Sequence, residues 1–208
     1  MLKVWGRNTS SNVQKVMWAV TEIGLPVERI DIGGPFGKNR EAPYLAINPN
    51  GLVPTIEEED GYTLWESNAI VRYLAAKHKS SLEPADLRAR GQAQKWMDWQ
   101  LTVMAPAIGP LFLGMVRTPP AERNMKAIDE SKARTADAAK LLDEQLAKTQ
   151  FLAGDAFSYG DIPIGIMVWR FRELAPDRHG GFKNLDRWYN AIAARPGFQQ
   201  HVKAIPLK

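Results

Sequence analysis

The chain has 208 residues, of which 45% are hydrophobic and 24% are charged, close to the averages of globular domains. This composition excludes a disordered chain, a collagen-like repeat and a polar coiled coil. Lys and Arg together number 27 and Asp and Glu 23, so the formal net charge is only +4. The basic residues are interleaved with acids and form no continuous block, so we expect no nucleic-acid partner.

Cysteine is absent, which excludes a disulfide, a Cys-ligated metal, a Cys nucleophile and a redox dithiol. The three histidines, His78, His179 and His201, are too scattered to predict a metal site. The first residues lack the apolar core of a signal peptide. The apolar run 162–169 is far shorter than the roughly 20 residues that span a bilayer. We therefore expect a soluble, cytoplasmic protein with no metal and no membrane association.

The first third of the chain alternates strand and helix signals. A polar cluster of helix-capping residues at 8–11 precedes an apolar series at helical spacing that ends at Gly24. Asp60–Gly61 is a strong hairpin signal between two short strands. In chain order, strands are predicted at 2–5, 27–32, 54–58 and 62–65, and helices at 13–23, 43–47 and 66–78.

The pattern changes after the linker-like stretch 79–84, beyond which only helical runs follow. These runs are predicted at 85–113, 120–148, 158–174 and 183–194. Segregation of the two patterns predicts an α/β domain followed by an all-α domain. We place the first, with the thioredoxin-like order and a mixed four-stranded sheet, at 1–78, a linker at 79–85, and the all-helical domain at 86–208.

The junction between the first strand and the first helix carries a candidate thiol site, formed by Ser10, Ser11 and Asn12. A helix N-terminus presents unpaired N–H groups and a partial positive charge, and therefore favours an anion. A serine hydroxyl there could stabilise a thiolate that a substrate brings in. The alternative is that Ser10 or Ser11 is only a helix N-cap.

The second candidate feature is the segment Asn48-Pro-Asn-Gly-Leu-Val-Pro54. A cis bond between Val53 and Pro54 would turn the main chain of Val53 outward, where an extended peptide could pair with it. An ordinary trans proline at a turn is the alternative.

The third feature is the pair Glu66 and Ser67, at the start of a helix. A carboxylate beside exposed N–H groups can hold the ammonium and carboxylate of an amino acid. A plain helix start is the alternative for this pair. Taken together, the three features fit a short peptide with a central thiol and a free amino-acid end, which describes glutathione.

The chain resembles the cytosolic glutathione transferase superfamily over essentially its full length. The resemblance rests on Ser10-Ser-Asn-Val-Gln-Lys-Val16, on the proline loop 48–54, on Trp65-Glu-Ser-Asn-Ala-Ile-Val-Arg-Tyr-Leu74 and on the capping segment 152–163. The pattern is similar to that of bacterial theta-like or phi-like enzymes of the serine type. Ser158 and Asp161 form a reciprocal capping pair, so Asp161 is expected to be structural.

This resemblance implies roles for particular residues. Ser10 would activate the thiol, with Ser11 and Asn12 as adjacent alternates. Val53 and Pro54 would bind the cysteinyl unit, and Glu66 and Ser67 the γ-glutamyl end. Leu52 stands where related classes often carry a polar residue, and Arg40 and Lys38 are the candidates for the glycyl end.

The resemblance also implies an apolar pocket for a second substrate, contributed by the helical domain. Met104, Ile108, Phe112 and Met115 share one helix face and are its candidate walls, while the prolines at 106 and 110 should kink or break that helix. The implied function is attack of glutathione on an apolar electrophile, by conjugation, dehalogenation or peroxide reduction, in a homodimer with a detoxifying role. The alternative is a non-catalytic binding or regulatory member of the same family.

Overall fold

The computed structural model describes residues 1–207, which divide into two compact units. The first unit contains residues 1–83 together with 196–206, and the second contains residues 84–195 together with Leu207. The boundary after Glu83 falls inside the predicted linker.

The first unit is built on a four-stranded sheet in the order β2-β1-β3-β4. The strands are β1 (Leu2–Trp5), β2 (Val27–Ile30), β3 (Thr55–Glu57) and β4 (Thr63–Trp65). Strands β1 and β2 are parallel, and the other two neighbouring pairs are antiparallel. Its first three helices are α1 (Ser11–Ile23), α2 (Ala42–Leu45) and α3 (Ser67–Lys77). The predicted thioredoxin-like order and mixed sheet are confirmed.

Local sequence signals explain why these elements end where they do. Helix α1 stops at Gly24, whose φ of 79° is the left-handed conformation that glycine adopts readily. The β3–β4 hairpin turns at Gly61, which has a φ of 87°. In the centre of the sheet, Val4 pairs with Ile56, and both are fully buried.

The second unit is helical. Its helices are α4 (Leu87–Trp99), α5 (Ala105–Phe112), α6 (Met125–Leu146), α7 (Asp161–Leu174) and α8 (Lys183–Ala193). Two π-helical turns, Gln100–Met104 and Leu113–Arg117, follow α4 and α5, so the helical path runs unbroken from residue 87 to residue 117.

The prolines of α5 do not end this helical path, and a side chain of α6 bonds to its backbone beside Pro110. The N–H of Leu111 donates to the hydroxyl of Ser131 at 3.0 Å. That hydroxyl in turn donates to the carbonyl of Ala107 at 2.5 Å. A side chain inserted at the helical ladder in this way can bend a helix without ending it.

The helical path Leu87–Arg117 is long and apolar enough to cross a membrane by length and composition alone, a weak indication because core helices of soluble proteins meet the same criterion. Residues 99–116 carry no charge, so this uncharged run is longer than the apolar run 162–169. Within the second unit this path packs against α6 and α7.

The C-terminal segment differs from its predicted assignment. Residues 196–206, which include α9 (Pro196–Phe198), group with the first unit rather than with the helical one. Gly197 lies so close to Trp18 that a Cβ atom there would be 2.4 Å from the indole. The rings of Phe198 and Trp18 meet edge to face, with centroids 5.1 Å apart. Contacts this distant in sequence leave no local signal.

Candidate active site

A small cleft in the first unit brings together residues from all three predicted motifs. Its lining combines the start of α1, the proline loop and the start of α3. The lining residues are Asn12, Asn48, Asn50, Leu52, Val53, Pro54, Trp65, Glu66 and Ser67. Residues separated by more than 50 positions in the chain therefore meet at one place.

Ser10 occupies the N-cap position of α1, but its hydroxyl does not cap the helix. Its backbone is extended, with φ of −78° and ψ of 122°, and its carbonyl accepts a hydrogen bond from the N–H of Gln14 at 2.9 Å. Within residues 1–207 the hydroxyls of Ser10 and Ser11 have no hydrogen-bond partner, and both residues are half-buried. Of the three candidates, only Asn12 lines the cleft itself. A serine at an N-cap usually accepts a hydrogen bond from the helix through its side-chain oxygen. The hydroxyl of Ser10 makes no such bond, so it is available to a ligand.

The Val53–Pro54 peptide bond is cis. The loop before it is fixed by Asn48, whose amide donates to the carbonyl of Leu52 at 2.8 Å and to the hydroxyl of Thr55 at 3.0 Å. Tyr44 donates a second hydrogen bond to the same carbonyl, at 2.6 Å, and burial raises the pKa of its hydroxyl, which keeps it a neutral donor. The main chain of Val53, by contrast, forms no hydrogen bond with any other described residue.

Glu66 immediately precedes α3 with a φ of 72°, in the left-handed region that non-glycine residues rarely occupy. Its carbonyl accepts the first hydrogen bond of the helix from Ile70, at 2.9 Å. Its exposed carboxylate pairs with no other described residue, and the hydroxyl of Ser67 has no partner either. A carboxylate, a hydroxyl and the first N–H groups of α3 are thus presented together, as a zwitterionic amino-acid end requires.

The two candidates for the glycyl end are placed differently. Arg40 donates to the carbonyl of Asn50, a residue that lines the cleft, at 3.1 Å. Lys38 is exposed, with a φ of 64°, and lies outside the cleft lining. The structure therefore brings Arg40, but not Lys38, to the cleft by a direct contact.

Sequence reasoning missed the roles of Asn48, Asn50 and Trp65 in the cleft. Asn48 is only 2% exposed, although an Asn-Pro-Asn-Gly sequence normally indicates an exposed turn. Its side chain also accepts from the N–H of Asn50 at 3.1 Å, so it holds both ends of the loop. The only signal in the sequence was its place in the motif that contains Val53 and Pro54.

A larger cavity of the first unit, about 420 Å³, lies away from these residues. Two of the three acidic side chains around it are in ion pairs, Glu58 with Lys77 and Glu59 with the N-terminus. None of the candidate thiol-, peptide- or amino-acid-binding residues lines it, so its volume does not make it the better candidate site.

The four residues of the second unit that are predicted to line a second-substrate pocket differ in solvent exposure. Met104 and Ile108 are buried in its core, whereas Phe112 and Met115 are half-buried and keep some exposed surface. The side chain of Arg170, from α7, lies over the Phe112 ring with its guanidinium carbon 4.2 Å from the ring centroid. No group of three or more metal-ligating side chains occurs within the described part of the chain.

The sheet order and the cleft define a thioredoxin-like domain that presents a cis-proline loop and two helix starts to a ligand, followed by a helical domain. Family models agree: the glutathione S-transferase N-terminal domain matches residues 9–77, and the C-terminal domain matches residues 103–196.

Known proteins similar to the chain point the same way. The chain is 42% identical to glutathione S-transferase GstB of Escherichia coli, over 97% of this chain and 98% of that one. It is 30% identical to glutathione S-transferase 3 of Zea mays, over 99% and 95% of the two chains. A crystal structure of the theta class glutathione S-transferase from Xanthomonas axonopodis pv. citri, with glutathione bound, superposes with a TM-score of 0.93 at 38% identity, covering 100% and 99% of the chains. The chain therefore belongs to the glutathione S-transferase family, as its motifs suggested.

Proposed function

We propose that the protein is an enzyme that binds glutathione in the cleft of its first unit and activates the thiol for attack on an electrophile. The observation that carries this proposal is the convergence of three motifs, each of which offers a polar group without a partner in residues 1–207: the hydroxyl of Ser10, the main chain of Val53 and the carboxylate of Glu66. The similarity to a theta class enzyme with glutathione bound supports it.

Each group has a defined task in this proposal. The hydroxyl of Ser10 donates to the sulfur, with Ser11 and Asn12 as the neighbouring alternatives. The main chain of Val53 pairs with the cysteinyl unit, as an added strand would. Glu66 accepts from the γ-glutamyl ammonium, and Ser67 donates to the adjacent carboxylate.

The proposal also assigns residues to the glycyl carboxylate of glutathione and to the electrophile. Arg40 provides a cation for the glycyl carboxylate, with Lys38 as a more distant candidate. Phe112 and Met115 provide the accessible apolar wall for the electrophile, and Met104 and Ile108 pack behind them. Methionine suits such a wall because its side chain adapts to different shapes.

The experiment that tests the proposal combines binding and turnover. Calorimetry should show glutathione binding, and 1-chloro-2,4-dinitrobenzene should be converted, with a carbon–sulfur bond formed and chloride released. The runner-up, a non-catalytic member of the family, predicts glutathione binding without turnover of this or any other electrophile. Absence of both binding and turnover would refute both.

Glu66→Gln should weaken glutathione binding by about 10-fold, the lower end for a charge-assisted hydrogen bond, because the carboxylate is exposed. The substitution keeps the shape of the side chain and removes only its charge. Calorimetric titration with glutathione measures the change.

Glu41→Gln is the matched control for this prediction. Glu41 is also exposed and also precedes a helix without capping it through its side chain. Its substitution should leave the dissociation constant within about 2-fold of the original, since an exposed carboxylate without a partner contributes little. Equal dissociation constants for Glu66→Gln and the unchanged protein would mean that Glu66 only starts the helix.

We further propose that the protein is a homodimer. Tyr62, which immediately precedes the edge strand β4, is 43% exposed, and apolar side chains such as Leu101 and Leu141 are exposed on the second unit. Large exposed apolar side chains are typical of a surface that another protein covers. Light scattering at micromolar concentration should give twice the chain mass of 23.3 kDa. A single-chain mass would contradict the proposal.

A further inference from the structure

Arg170 is a buried charge without a counter-charge. It lies in α7 of the second unit and is only 7% exposed, and its Nε atom has no hydrogen-bond partner. No carboxylate or other acceptor in residues 1–207 binds its guanidinium. Arg172, two residues later, shows the usual arrangement, since it pairs with Asp186. Burial of an unpaired charge is costly, so arginines are rarely placed in this way without a partner.

The surroundings of Arg170 add positive charge rather than compensating it. Its guanidinium lies 4.2 Å from the centroid of the Phe112 ring, and that of Arg117 lies 5.8 Å from the same centroid. Burial, and secondarily the charge of Arg117, lower the pKa of Arg170 to about 10. The group therefore stays protonated at neutral pH. Stacking on one ring offsets only part of the cost of burying it, since a cation–π contact contributes roughly 0.5–2 kcal/mol.

We propose that Arg170 binds a carboxylate carried by the electrophilic substrate, whose apolar part packs on Phe112 and Met115. This inference rests on the proposed function and narrows its substrate class from apolar electrophiles to electrophiles that combine an apolar body with an anionic group. A planar guanidinium with several parallel donors matches a carboxylate in two-point contact. An aromatic or alkyl body next to the carboxylate would use the half-buried surface beside it.

The reaction in this proposal is a displacement that needs no further reactant. The glutathione thiol loses its proton to solvent, the thiolate attacks a carbon that bears a leaving group, and a carbon–sulfur bond forms. For 4-(chloromethyl)benzoate the carbon–chlorine bond breaks and chloride leaves with its electron pair. Arg170 holds the carboxylate and takes no part in the bond changes, so it is a specificity residue.

The binding test uses inert compounds and requires no catalysis. We expect the protein to bind 4-methylbenzoate about 10- to 100-fold more tightly than 4-methylbenzamide, which has the same shape without the charge, because a buried charge-assisted contact is strong. Arg170→Met should bind the two compounds equally, and Arg170→Lys should retain part of the preference. Arg172→Met is the control on the same helix and should leave the preference unchanged, since that side chain is already paired.

The turnover test separates this inference from the proposed function. After correction for the uncatalysed rates, kcat/KM should be higher for 4-(chloromethyl)benzoate than for 4-(chloromethyl)benzamide. In Arg170→Met the two values of kcat/KM should be equal. Turnover of both without preference, together with equal binding of the inert pair, would overturn the inference and leave the proposed function intact. If the unchanged protein neither binds glutathione nor converts any of these substrates, both the proposed function and this inference are overturned.

Two further outcomes distinguish competing explanations of Arg170. Sulfate that binds as tightly as 4-methylbenzoate would indicate a general anion site, and the carboxylate proposal would be wrong. Without ligand, Arg170→Met should melt at the same temperature as the unchanged protein or higher, because it removes an unpaired buried charge. A large fall in the melting temperature of Arg170→Met, together with an unchanged preference for 4-methylbenzoate in both Arg170→Met and Arg170→Lys, would make Arg170 a structural residue. That result would overturn the proposal.

Discussion

Asp161→Ala should lower the free energy of unfolding by about 3–5 kcal/mol, the range for breaking a buried network around a charged group. The carboxylate of Asp161 is fully buried and accepts four hydrogen bonds. They come from the N–H of Leu152 at 3.0 Å, the N–H and hydroxyl of Ser158 at 2.9 and 3.2 Å, and the indole of Trp188 at 2.8 Å. The substitution leaves these donors buried without an acceptor, a loss larger than that of an exposed helix cap.

The isosteric variant Asp161→Asn separates the shape of this side chain from its role as an acceptor. Burial raises the pKa of Asp161, while the four donated hydrogen bonds act against that rise. An amide would turn an NH2 group toward one set of donors, so Asp161→Asn should lose a large part of the same stability. Urea unfolding, with the slope compared between variants, measures both losses.

Asp155→Ala is the control for these two variants, because Asp155 is an exposed acid in the same segment. It should change the free energy of unfolding by less than about 0.5 kcal/mol. A native midpoint for Asp161→Ala combined with lost turnover would reverse the structural assignment of Asp161 and make it part of the site chemistry.

The parts of the fold that could be predicted from the sequence depend on contacts between near neighbours. Gly24 ends α1, and Asp60–Gly61 turns the β3–β4 hairpin, because each conformation is favoured by the residue itself. The sequence predicts that α3 starts at Glu66, one residue before its first residue in the structure, Ser67. Helix ends of this kind depend on local backbone geometry, which the sequence encodes directly.

The parts that could not be predicted depend on residues far apart in the chain. Ser131 bonds to the backbone of α5 beside its prolines, although 20 residues separate it from Leu111. Residues 196–206 belong to the first unit, where Phe198 packs on Trp18. Because this contact joins residues far apart in the chain, no linker-like composition marks the point where the chain returns to the first unit. Arg170 continues an apolar run in the sequence, and only the packing around it shows that its charge lacks a partner.

The same distinction applies to the candidate site. Ser10, Val53 and Glu66 could be proposed because each belongs to a short motif with a chemical meaning of its own. The buried Asn48 could not, because its importance lies in hydrogen bonds to Leu52 and to other loop atoms that only the folded chain brings together. Sequence motifs thus identify the groups offered to a ligand, whereas the groups that position them emerge from the fold.

Ser10→Ala should raise the pKa of the glutathione thiol in the bound complex by about one to two units, toward the free-thiol value near 8.5. The substitution removes one hydrogen bond to an anion, worth roughly 1.5–3 kcal/mol, and about 1.4 kcal/mol corresponds to one pKa unit. The N-terminus of α1 remains in place, since the hydroxyl of Ser10 does not cap it. Ultraviolet absorbance of the thiolate, followed against pH, measures the shift.

Turnover of the Ser10→Ala variant near pH 7 should fall by about 8- to 25-fold, because a thiol whose pKa has risen by one to two units to about 8.5 is only about 3% ionised at that pH. Part of the rate should return as the pH is raised toward the new pKa, where the thiol ionises without help. Binding of an S-alkyl glutathione, which has no thiolate, should change little.

Ser11→Ala and Asn12→Ala are the controls for Ser10→Ala. A rise in the thiol pKa in Ser11→Ala alone would make the hydroxyl of Ser11 the donor to the sulfur. A rise in Asn12→Ala alone would make the donor the amide of Asn12, which lines the cleft. An unchanged thiol pKa in all three variants would reduce the cluster to a helix start and favour the non-catalytic alternative.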